Sequence, residues 1–345
     1  MGVTIKDIAR KANVSLATVS RVINNKSEGV GPETRERILN IMKDLGYYPN
    51  RIARGLVTKK TNILGLVLPD ISNPFFPSLA RGVEDTANKY GYNIILCNTD
   101  NKTEKEETYI SVLKENYVDG VIYTSVIRNK DKSIEMLLQS KIPFVMMDRS
   151  VNVTDIPEVF TDGVSGMQQI VEYLISNDHR RIAYISGPDN NSPSEQRLEG
   201  YMKALDHAGI PIDHTIMKDG DYKISSGYQC MTELLDKGEG FTAVACANDL
   251  MAVGALEAMK ERGIRVPEDI SITGYDDIYL AGVLTPKLTT IAQPKYEMGC
   301  LAAELLIKLV QGEEIKDRQI ILQPSLVKRE SVVKRSDMLE NCSHR

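Results

Sequence analysis

Apolar side chains recur along the first 46 residues at the spacing of short amphipathic helices. Thr4 and Ser15 suit helix caps, Pro32 suits the first turn of a third helix, and Gly46 suits its end. The expected inward faces are Ile5, Ile8, Ala9 and Ala12; Val19, Val22 and Ile23; and Ile38, Leu39, Met42 and Leu45. Two short helices joined by a turn of about three residues form a helix-turn-helix.

From Asn62 onward, short β-rich runs alternate with amphipathic helical stretches. Strands are predicted at residues 63–68, 93–97, 120–123, 144–147, 181–185, 243–246 and 270–273. Helices are predicted at residues 78–90, 104–116, 131–140, 164–177, 194–208, 225–237 and 249–262. This alternation indicates parallel sheets covered by helices, and seven units are too many for one small sheet. We therefore expect an α+β multidomain chain, with an all-α helix-turn-helix head and a two-lobed α/β body.

The composition of the 345 residues narrows the class of protein. No apolar run approaches the roughly 18 residues of a membrane-spanning helix, and the first residues do not resemble a signal peptide. The cysteines contain no Cys-x-x-Cys pair, which argues against a disulfide scaffold and a zinc ribbon; they are Cys97, Cys230, Cys246, Cys300 and Cys342. We expect a cytoplasmic protein that has no metal, no cofactor and no membrane partner.

The charge is unevenly distributed. Residues 1–60 hold twelve Lys and Arg against five Asp and Glu, a charge of +7, whereas the whole chain carries −5, which leaves −12 for the other residues. A small basic head on a larger acidic body suggests that the head meets a polyanion.

Sequence motifs for catalysis are missing. The first body strand leads into Pro69-Asp70 and not into a Gly-x-Gly-x-x-Gly loop, and neither a phosphate-binding loop nor a Gly-x-Ser-x-Gly elbow occurs. The adjacent carboxylates of Asp276 and Asp277 are more typical of ligand binding or structure than of catalysis. We predict no catalytic residues and no enzyme activity.

The second predicted helix presents residues that suit the DNA major groove. Leu16, Ala17 and Ser20 are its first exposed positions, and Arg21 follows them. The N-terminal residues of the second helix of a helix-turn-helix meet base edges, and an arginine can donate twice to guanine or hold a phosphate. A solvated helix face is the alternative.

Longer motifs resemble the lactose/galactose repressor family. The resemblance covers nearly the whole chain, through residues 4–24 and 46–56 in the head and through Ile71-Ser72-Asn73-Pro74-Phe75-Phe76, Ala247-Asn248-Asp249, Gly274-Tyr275-Asp276-Asp277 and 288–294 in the body. It implies a homodimeric transcription regulator that binds near-palindromic operator DNA under control of a ligand. The DNA-binding residues that it implies are Thr4, Ser15, Leu16, Ala17, Thr18, Ser20, Arg21, Asn24, Asn50, Arg51, Ala53, Arg54 and Leu56.

Residues 50–60 have the character of a hinge. So short a helix is not stable alone in water, and Gly55 within it costs roughly a further 1 kcal/mol, so we expect it to order only on DNA. The family resemblance implies that Leu56 wedges into a minor-groove base step. The expected domains are the head at 1–48, the hinge at 49–61, the body at 62–333 and a frayed tail at 334–345. The N-lobe would comprise 62–161 and 291–323, and the C-lobe 162–290 and 324–333.

Polar and aromatic residues follow the strands of the body, where parallel sheets bind ligands. Carboxylate and guanidinium groups can bind the hydroxyls of a sugar while aromatic rings cover its faces. The set resembles the contact residues of ribose-binding proteins and ribose repressors, namely Asn73, Phe75, Phe76, Asp148, Arg149, Arg197, Tyr222, Asn248, Asp276 and Gln293. Tyr222 stands where ribose-binding proteins have Phe, and a contact near Thr124-Ser125 is not matched. We expect a monosaccharide effector, with ribose or a related pentose first; a purine is less favoured.

Alternatives remain open. For Phe75 and Phe76, the alternative is core packing, and for Asp148 and Arg149 a surface ion pair. His179 and His207 are interpreted as solvated helix ends. A catabolite-control regulator switched by a phosphocarrier protein would share the whole architecture. A transport-type solute-binding protein would share the body, but the basic head and the missing export signal count against it.

Overall fold

The computed structural model describes residues 3–24, 29–47, 60–124, 132–150, 155–189 and 192–336. The chain divides into two compact units, Met1–Thr61 and Asn62–Arg345. The predicted fold class is confirmed, because the first unit is helical and the second is built on parallel sheets. None of the helices in these ranges is long and apolar enough to cross a membrane.

The described residues of the head form three helices, α1 (Ile5–Ala12), α2 (Leu16–Ile23) and α3 (Pro32–Asp44). The Thr4 hydroxyl donates to the Asp7 carboxylate at 2.6 Å, which also accepts the Thr4 backbone N–H and closes a capping box. The Ser15 hydroxyl caps α2 by accepting the Thr18 N–H at 3.1 Å. The helices bury a small core made of Ile8, Ala9, Ala12, Val19, Val22, Ile38, Ile41 and Met42.

The prediction for the buried face of α3 is wrong at one residue. Leu39 is exposed, whereas Ile41 is buried with Ile38 and Met42. The reason is helical geometry, because positions i, i+3, i+4 and i+7 share a face and position i+1 lies about 100° away.

The N-lobe of the body is a six-stranded parallel sheet. Its strands are β1 (Ile63–Leu68), β2 (Asn93–Asn98), β3 (Gly120–Tyr123), β4 (Phe144–Met147), β5 (Glu158–Thr161) and β11 (Gln319–Leu322), in the order β2-β1-β3-β4-β5-β11. Its helices are α4 (Phe75–Lys89), α5 (Thr103–Glu115), α6 (Lys132–Ser140) and α11 (Lys295–Gln311).

The C-lobe is a four-stranded parallel sheet. Its strands are β6 (Ile182–Ser186), β7 (Met217–Asp219), β8 (Ala243–Cys246) and β9 (Ser271–Thr273), in the order β7-β6-β8-β9. Its helices are α7 (Gly163–Ser176), α8 (Ser192–His207), α9 (Ile224–Asp236) and α10 (Asp249–Glu261), with short 3₁₀ turns at His214–Ile216 and Tyr279–Gly282.

Two of the segments that pass between the lobes pair with each other. Strand β10 (Thr290–Ala292) runs antiparallel to β12 (Ser325–Val327), with Ile291 opposite Leu326. The chain therefore leaves the C-lobe at β10, builds α11 and β11 on the N-lobe, and returns through β12. Beyond β12, the Ser331 hydroxyl donates to the Ile272 carbonyl of the C-lobe at 2.6 Å.

Helix α11 packs on α4 through two reciprocal glycine contacts. A Cβ atom on Gly299 would lie 2.2 Å from the Leu79 carbonyl oxygen, and one on Gly82 would lie 2.1 Å from the Tyr296 carbonyl oxygen. The two backbones therefore touch, and α11 is held firmly to the N-lobe. The predictions above omit α11, because its apolar positions cover more than one face. They also omit five strands of only three or four residues, namely β5, β7, β10, β11 and β12.

His179 is not a solvated helix end. It is fully buried, its Nε2 donates to the Val333 carbonyl at 3.0 Å, and its Nδ1 lies 2.9 Å from the Thr242 hydroxyl. Burial lowers the pKa of His179 below its usual value. His179 follows the end of a helix in the sequence, but the Val333 carbonyl, which reaches it only in the folded chain, lets it be buried in the core.

The prediction that the tail is frayed from residue 334 onward is also wrong at its first residues. Lys334 forms an ion pair with Asp178 at 3.6 Å, and the Arg335 N–H donates to the Asn177 carbonyl at 3.0 Å. Residues 337–345 lie outside the described part of the chain.

We expect Gly299→Ala to lower the free energy of unfolding of the body by about 1–3 kcal/mol, because the added methyl group has no space between α11 and α4. Gly282→Ala is the matched control, since a Cβ atom there meets nothing within 4 Å. Urea unfolding of both variants checks this; equal stability of the two would contradict the close approach.

Candidate functional site

Helix α2 presents a solvent-facing surface at its N-terminal end. Leu16 is 45% exposed, and Ala17 and Arg21 are also exposed. The Arg21 guanidinium lies over Gly29, where a Cβ atom would be 3.0 Å from Nη1. An exposed leucine and arginine on the second helix of a helix-turn-helix match the arrangement that reads base edges.

The remaining predicted head residues support this surface or lie elsewhere. Thr4 and Ser15 cap their helices, Thr18 contacts the Ser15 hydroxyl at 2.9 Å, and the Asn24 amide donates to the Ser20 hydroxyl at 3.2 Å. The predicted hinge residues lie outside the described part of the chain; they are Asn50, Arg51, Ala53, Arg54 and Leu56.

In the body, residues of both lobes enclose one small polar cavity. Its lining includes Asp148, Arg149 and Thr161 from the N-lobe and Gln196, Arg197 and Tyr275 from the C-lobe, together with Gln293. Asp148 and Arg149 follow β4, so they lie at the carboxyl edge of the N-lobe sheet. The cavity measures about 10 Å³, which holds about one water molecule. A sugar therefore requires these side chains to move apart.

Arg197 is the cation at the centre of this cavity. It is only 6% exposed; its Nη1 donates to the Ala247 carbonyl at 2.6 Å and its Nη2 to the Asp276 carboxylate at 3.5 Å. Its guanidinium lies 4.0 Å from the centre of the Tyr275 ring. Ring, carbonyl and carboxylate together hold the guanidinium plane in one orientation.

Asp276 is the buried anion. Its Oδ1 accepts from Arg197 and from the Gln293 amide, the latter at 2.7 Å. Burial raises the pKa of Asp276, although Arg197, Lys295 and Gln293 all oppose the rise. The backbone φ is +112° at Asp276 and +50° at Asp277, a conformation that non-glycine residues rarely adopt. Such strain persists only where the surrounding structure holds it, and it is concentrated at functional sites.

Asp148 and Arg149 face the cavity from the N-lobe. Burial, opposed by Arg197 and reinforced by Asp276, raises the pKa of Asp148 to about 7. Arg149 is only 5% exposed. Both side chains line the interlobe cavity.

The aromatic pair of the N-lobe lies in the apolar core. Phe75 and Phe76 pack edge to face, with ring centres 5.0 Å apart, in a buried cluster that also includes Ile278 of the C-lobe. Neither ring lines the small cavity, and Asn73 is engaged in the turn before α4, where its Oδ1 accepts the Phe75 N–H at 3.1 Å.

Tyr222 and Asn248 form a second group on the C-lobe. The Asn248 amide donates to the Tyr222 carbonyl at 3.0 Å, and its Oδ1 caps α10 by accepting the Met251 N–H. The Tyr222 ring centre lies 5.6 Å from the Arg197 guanidinium, and burial raises the Tyr222 pKa to about 12. At the unmatched position, the Thr124 hydroxyl donates to the Met147 carbonyl, and Ser125 lies outside the described residues.

The structure adds residues that sequence reasoning missed, among them Thr161, Gln196 and Tyr275. Tyr275 supplies the ring beneath Arg197, and the signal was its place directly before Asp276 in a quoted motif. The Tyr275 hydroxyl, the Thr161 hydroxyl and the Arg197 Nε are buried and find no hydrogen-bond partner among the described residues. Three such groups around one cavity suit a ligand that brings several hydroxyls. The described residues contain no cluster that could hold a metal ion.

Comparison with known families follows the division of the chain. Residues 4–50 match the bacterial regulatory proteins of the lacI family, and residues 61–330 match the periplasmic binding proteins and sugar-binding domains of that family.

Individual relatives match from end to end. The chain is 40% identical to the transcriptional regulator RegA of Clostridium saccharobutylicum over 96% of its length and 100% of the relative. It is 39% identical to the ribose operon repressor of Halalkalibacterium halodurans (95% and 96%) and 38% identical to catabolite control protein A of Priestia megaterium (94% and 97%).

Solved structures agree with this assignment. The lac repressor dimer bound to operator and an anti-inducer superposes with a TM-score of 0.86 at 30% identity, over 96% of this chain and all of that one. A regulator from Enterococcus faecium with bound ribose gives a TM-score of 0.71 at 34% identity, over 79% and 99%.

The raised pKa of Asp148 generates a prediction about pH. A carboxyl whose pKa rises to about 7 on folding stabilises the fold below about pH 4 and loses that contribution as the pH rises through about 7. Asp148→Asn stays neutral and tolerates the φ of +66°. Between pH 5 and pH 8 it should lose less unfolding free energy than the wild type, by on the order of 1–2 kcal/mol. Urea unfolding at four pH values measures this, with exposed Asp206→Asn as control; parallel wild-type and Asp148→Asn curves would count against it.

Proposed function

Because the chain belongs to the LacI family of bacterial transcriptional regulators, we propose that it is the repressor of a carbohydrate-utilisation operon. As a homodimer it binds a near-palindromic operator through its head, and a monosaccharide bound between the lobes of its body changes that binding. Ribose or a related pentose is the proposed sugar, and the protein works in the cytoplasm without catalysis or cofactor.

The DNA half of the proposal rests on α2. Its exposed N-terminal residues lie on a firmly capped helix in a head that carries +7 over residues 1–60. Basic groups supply affinity by displacing counterions from phosphates, and the base-facing side chains of α2 supply selectivity. The family's DNA-bound dimer places two such heads on adjacent half-sites, which motivates the near-palindromic operator.

The effector half rests on the small polar cavity that residues of both lobes line. Two arginines, Asp148, Gln293 and the unpaired hydroxyls of Thr161 and Tyr275 around it offer many donors and acceptors and little apolar surface. A ligand that touches both lobes has different contacts in open and closed states, and only such a ligand can shift the balance between them. Couplings of this kind are typically about 1–3 kcal/mol.

The choice of a pentose rests on similarity. Of the residues that resemble the ribose contact set, Gln293 donates to Asp276 and the Tyr222 ring lies 5.6 Å from Arg197. Relatives include a ribose operon repressor and a regulator solved with ribose.

Control by a phosphocarrier protein is the second candidate. The observation that favours it is the contracted cavity of about 10 Å³, together with the similarity to catabolite control protein A. The two candidates differ in whether free sugar binds without a protein partner. A transport-type binding protein is disfavoured by the match of residues 4–50 to a DNA-binding family.

For the head, we expect Arg21→Ala to weaken binding to an operator selected from random duplexes by about 10–100-fold, the value of one bidentate base contact. Lys11→Ala removes the same charge from α1 and is the matched control. Gel-shift titrations on operator and on random DNA separate the roles of Arg21. A uniform loss on both DNAs would assign Arg21 to phosphate, and an unchanged operator affinity would remove α2 as the reading helix.

For the body, we expect Asp276→Asn to lower affinity for the effector sugar by at least about tenfold, because the site loses the charge-assisted bonds of the carboxylate. Asp236→Asn, an exposed carboxylate of the same lobe that pairs with Arg262, is the control. Calorimetry with a panel of pentoses and hexoses, ribose first, makes the measurement.

Two results would contradict the effector proposal. Full sugar affinity in Asp276→Asn would show that the ligand binds elsewhere. The absence of heat from every sugar with the wild-type protein would favour control by a protein partner.

A further inference from the structure

We propose that Lys295 is a positioning residue that ties the effector-binding turn of the C-lobe to the N-lobe, so that the sugar site is complete only when the lobes are joined. The inference rests on the proposed function of Asp276 as an effector ligand. It assigns a role to a side chain that is not among the residues predicted for the effector site.

The contact itself joins the two lobes. Lys295 is the first residue of α11, and its ammonium donates to the carbonyl oxygens of both Asp276 and Asp277, the second at 2.9 Å. The turn at 276–277 continues from β9 in the C-lobe sheet, whereas α11 packs backbone to backbone on α4 of the N-lobe. One side chain therefore links a rigid N-lobe helix to the turn that carries the buried carboxylate.

The turn needs such support. Two consecutive non-glycine residues with φ of +112° and +50° are held from several sides. The Asp276 N–H donates to the Ile291 carbonyl at 2.9 Å, and the Asp277 carboxylate accepts from Arg329 at 2.6 Å. Of these supports, Lys295 alone belongs to an N-lobe helix, since Ile291 and Arg329 lie in or beside the paired crossover strands.

The position of Lys295 is unfavourable for a lysine on local grounds. The positive end of the helix dipole lies at the first turn of α11, where an acidic side chain is preferred and a cation is disfavoured. Glu297 in the same turn satisfies that preference. The carbonyl oxygens of Asp276 and Asp277 supply the negative partner that the helix end does not, which accounts for a lysine here.

The consequence for the cavity follows from geometry. The Asp276 carboxylate can accept from Arg197 and Gln293 only while its backbone keeps this conformation. Without Lys295 the turn can relax away from φ of +112°, and the carboxylate turns with it. Loss of the tie should therefore weaken the sugar site without touching the head.

The test compares Lys295→Met, Lys295→Arg and the control Lys308→Met in the full chain. Lys308 is exposed near the other end of α11. Hydrogen exchange followed by mass spectrometry of residues 274–280, without sugar, reports the turn. Calorimetry with D-ribose reports the site, and operator binding without sugar reports the head.

We expect Lys295→Met to speed exchange in residues 274–280 and to lower ribose affinity, each by about tenfold, while operator affinity stays within about twofold of wild type. Lys295→Arg should keep exchange and ribose affinity close to the wild-type values, because a guanidinium can also donate to two carbonyl oxygens. Lys308→Met should match the wild type.

Unchanged exchange in Lys295→Met would overturn the proposal, whatever the ligand is. Faster exchange with wild-type ribose affinity would also overturn it, because the tie would then not serve the site. If ribose binds neither wild type nor variant, the proposed sugar is wrong, and exchange with and without Lys295 still decides whether the tie holds the turn.

Discussion

Two charged side chains that are almost completely removed from water determine the architecture of the cleft. Arg197 and Asp276 lie 3.5 Å apart, and each makes the burial of the other tolerable. An unpaired charge in such a place is very costly, so a substitution that removes one charge leaves the other without its partner. Around this pair, the Ala247 carbonyl and the Tyr275 ring hold the guanidinium, and the Gln293 amide holds the carboxylate. A ligand must enter by replacing some of these contacts with equivalent ones, which explains why a polyhydroxylated molecule suits the site and an apolar one does not.

The sequence predicted the frame of the fold well, because its signals are local. Strands β1, β3, β4 and β8 are continuous apolar runs, and they begin and end at the expected residues. The failures have different causes. Leu39 was misplaced by a one-residue error of helical phase, His179 is buried because Val333 comes from far along the chain, and α11 shows apolar residues on more than one face because it packs on both a helix and a sheet.

For the candidate site, residue type could be predicted but mutual position could not. The sequence places Asp148, Arg197, Asp276 and Gln293 after strands or at crossings, and the structure brings them together. Phe75 and Phe76 also come after a strand, yet they lie in an apolar cluster. Their position after a strand does not reveal how far the two lobes have closed. Tyr275 and Lys295 act through a ring face and through backbone carbonyls, and neither interaction has a spacing that a sequence reveals.

The return of the chain to the N-lobe at α11 and β11 has a consequence for biosynthesis. The six-stranded sheet needs residues 319–322 for its last strand, and the glycine face of β3 at Gly120 is covered by Leu306 and Val310 of α11. A chain emerging from the ribosome can close the head after about fifty residues, but its N-lobe keeps an uncovered apolar face until nearly the whole protein has been made. During that interval the C-lobe strands are already present. Domains generally fold in order from the N-terminus. In this chain the N-lobe, although it is synthesised first, is therefore the lobe most open to misassembly and to chaperone binding.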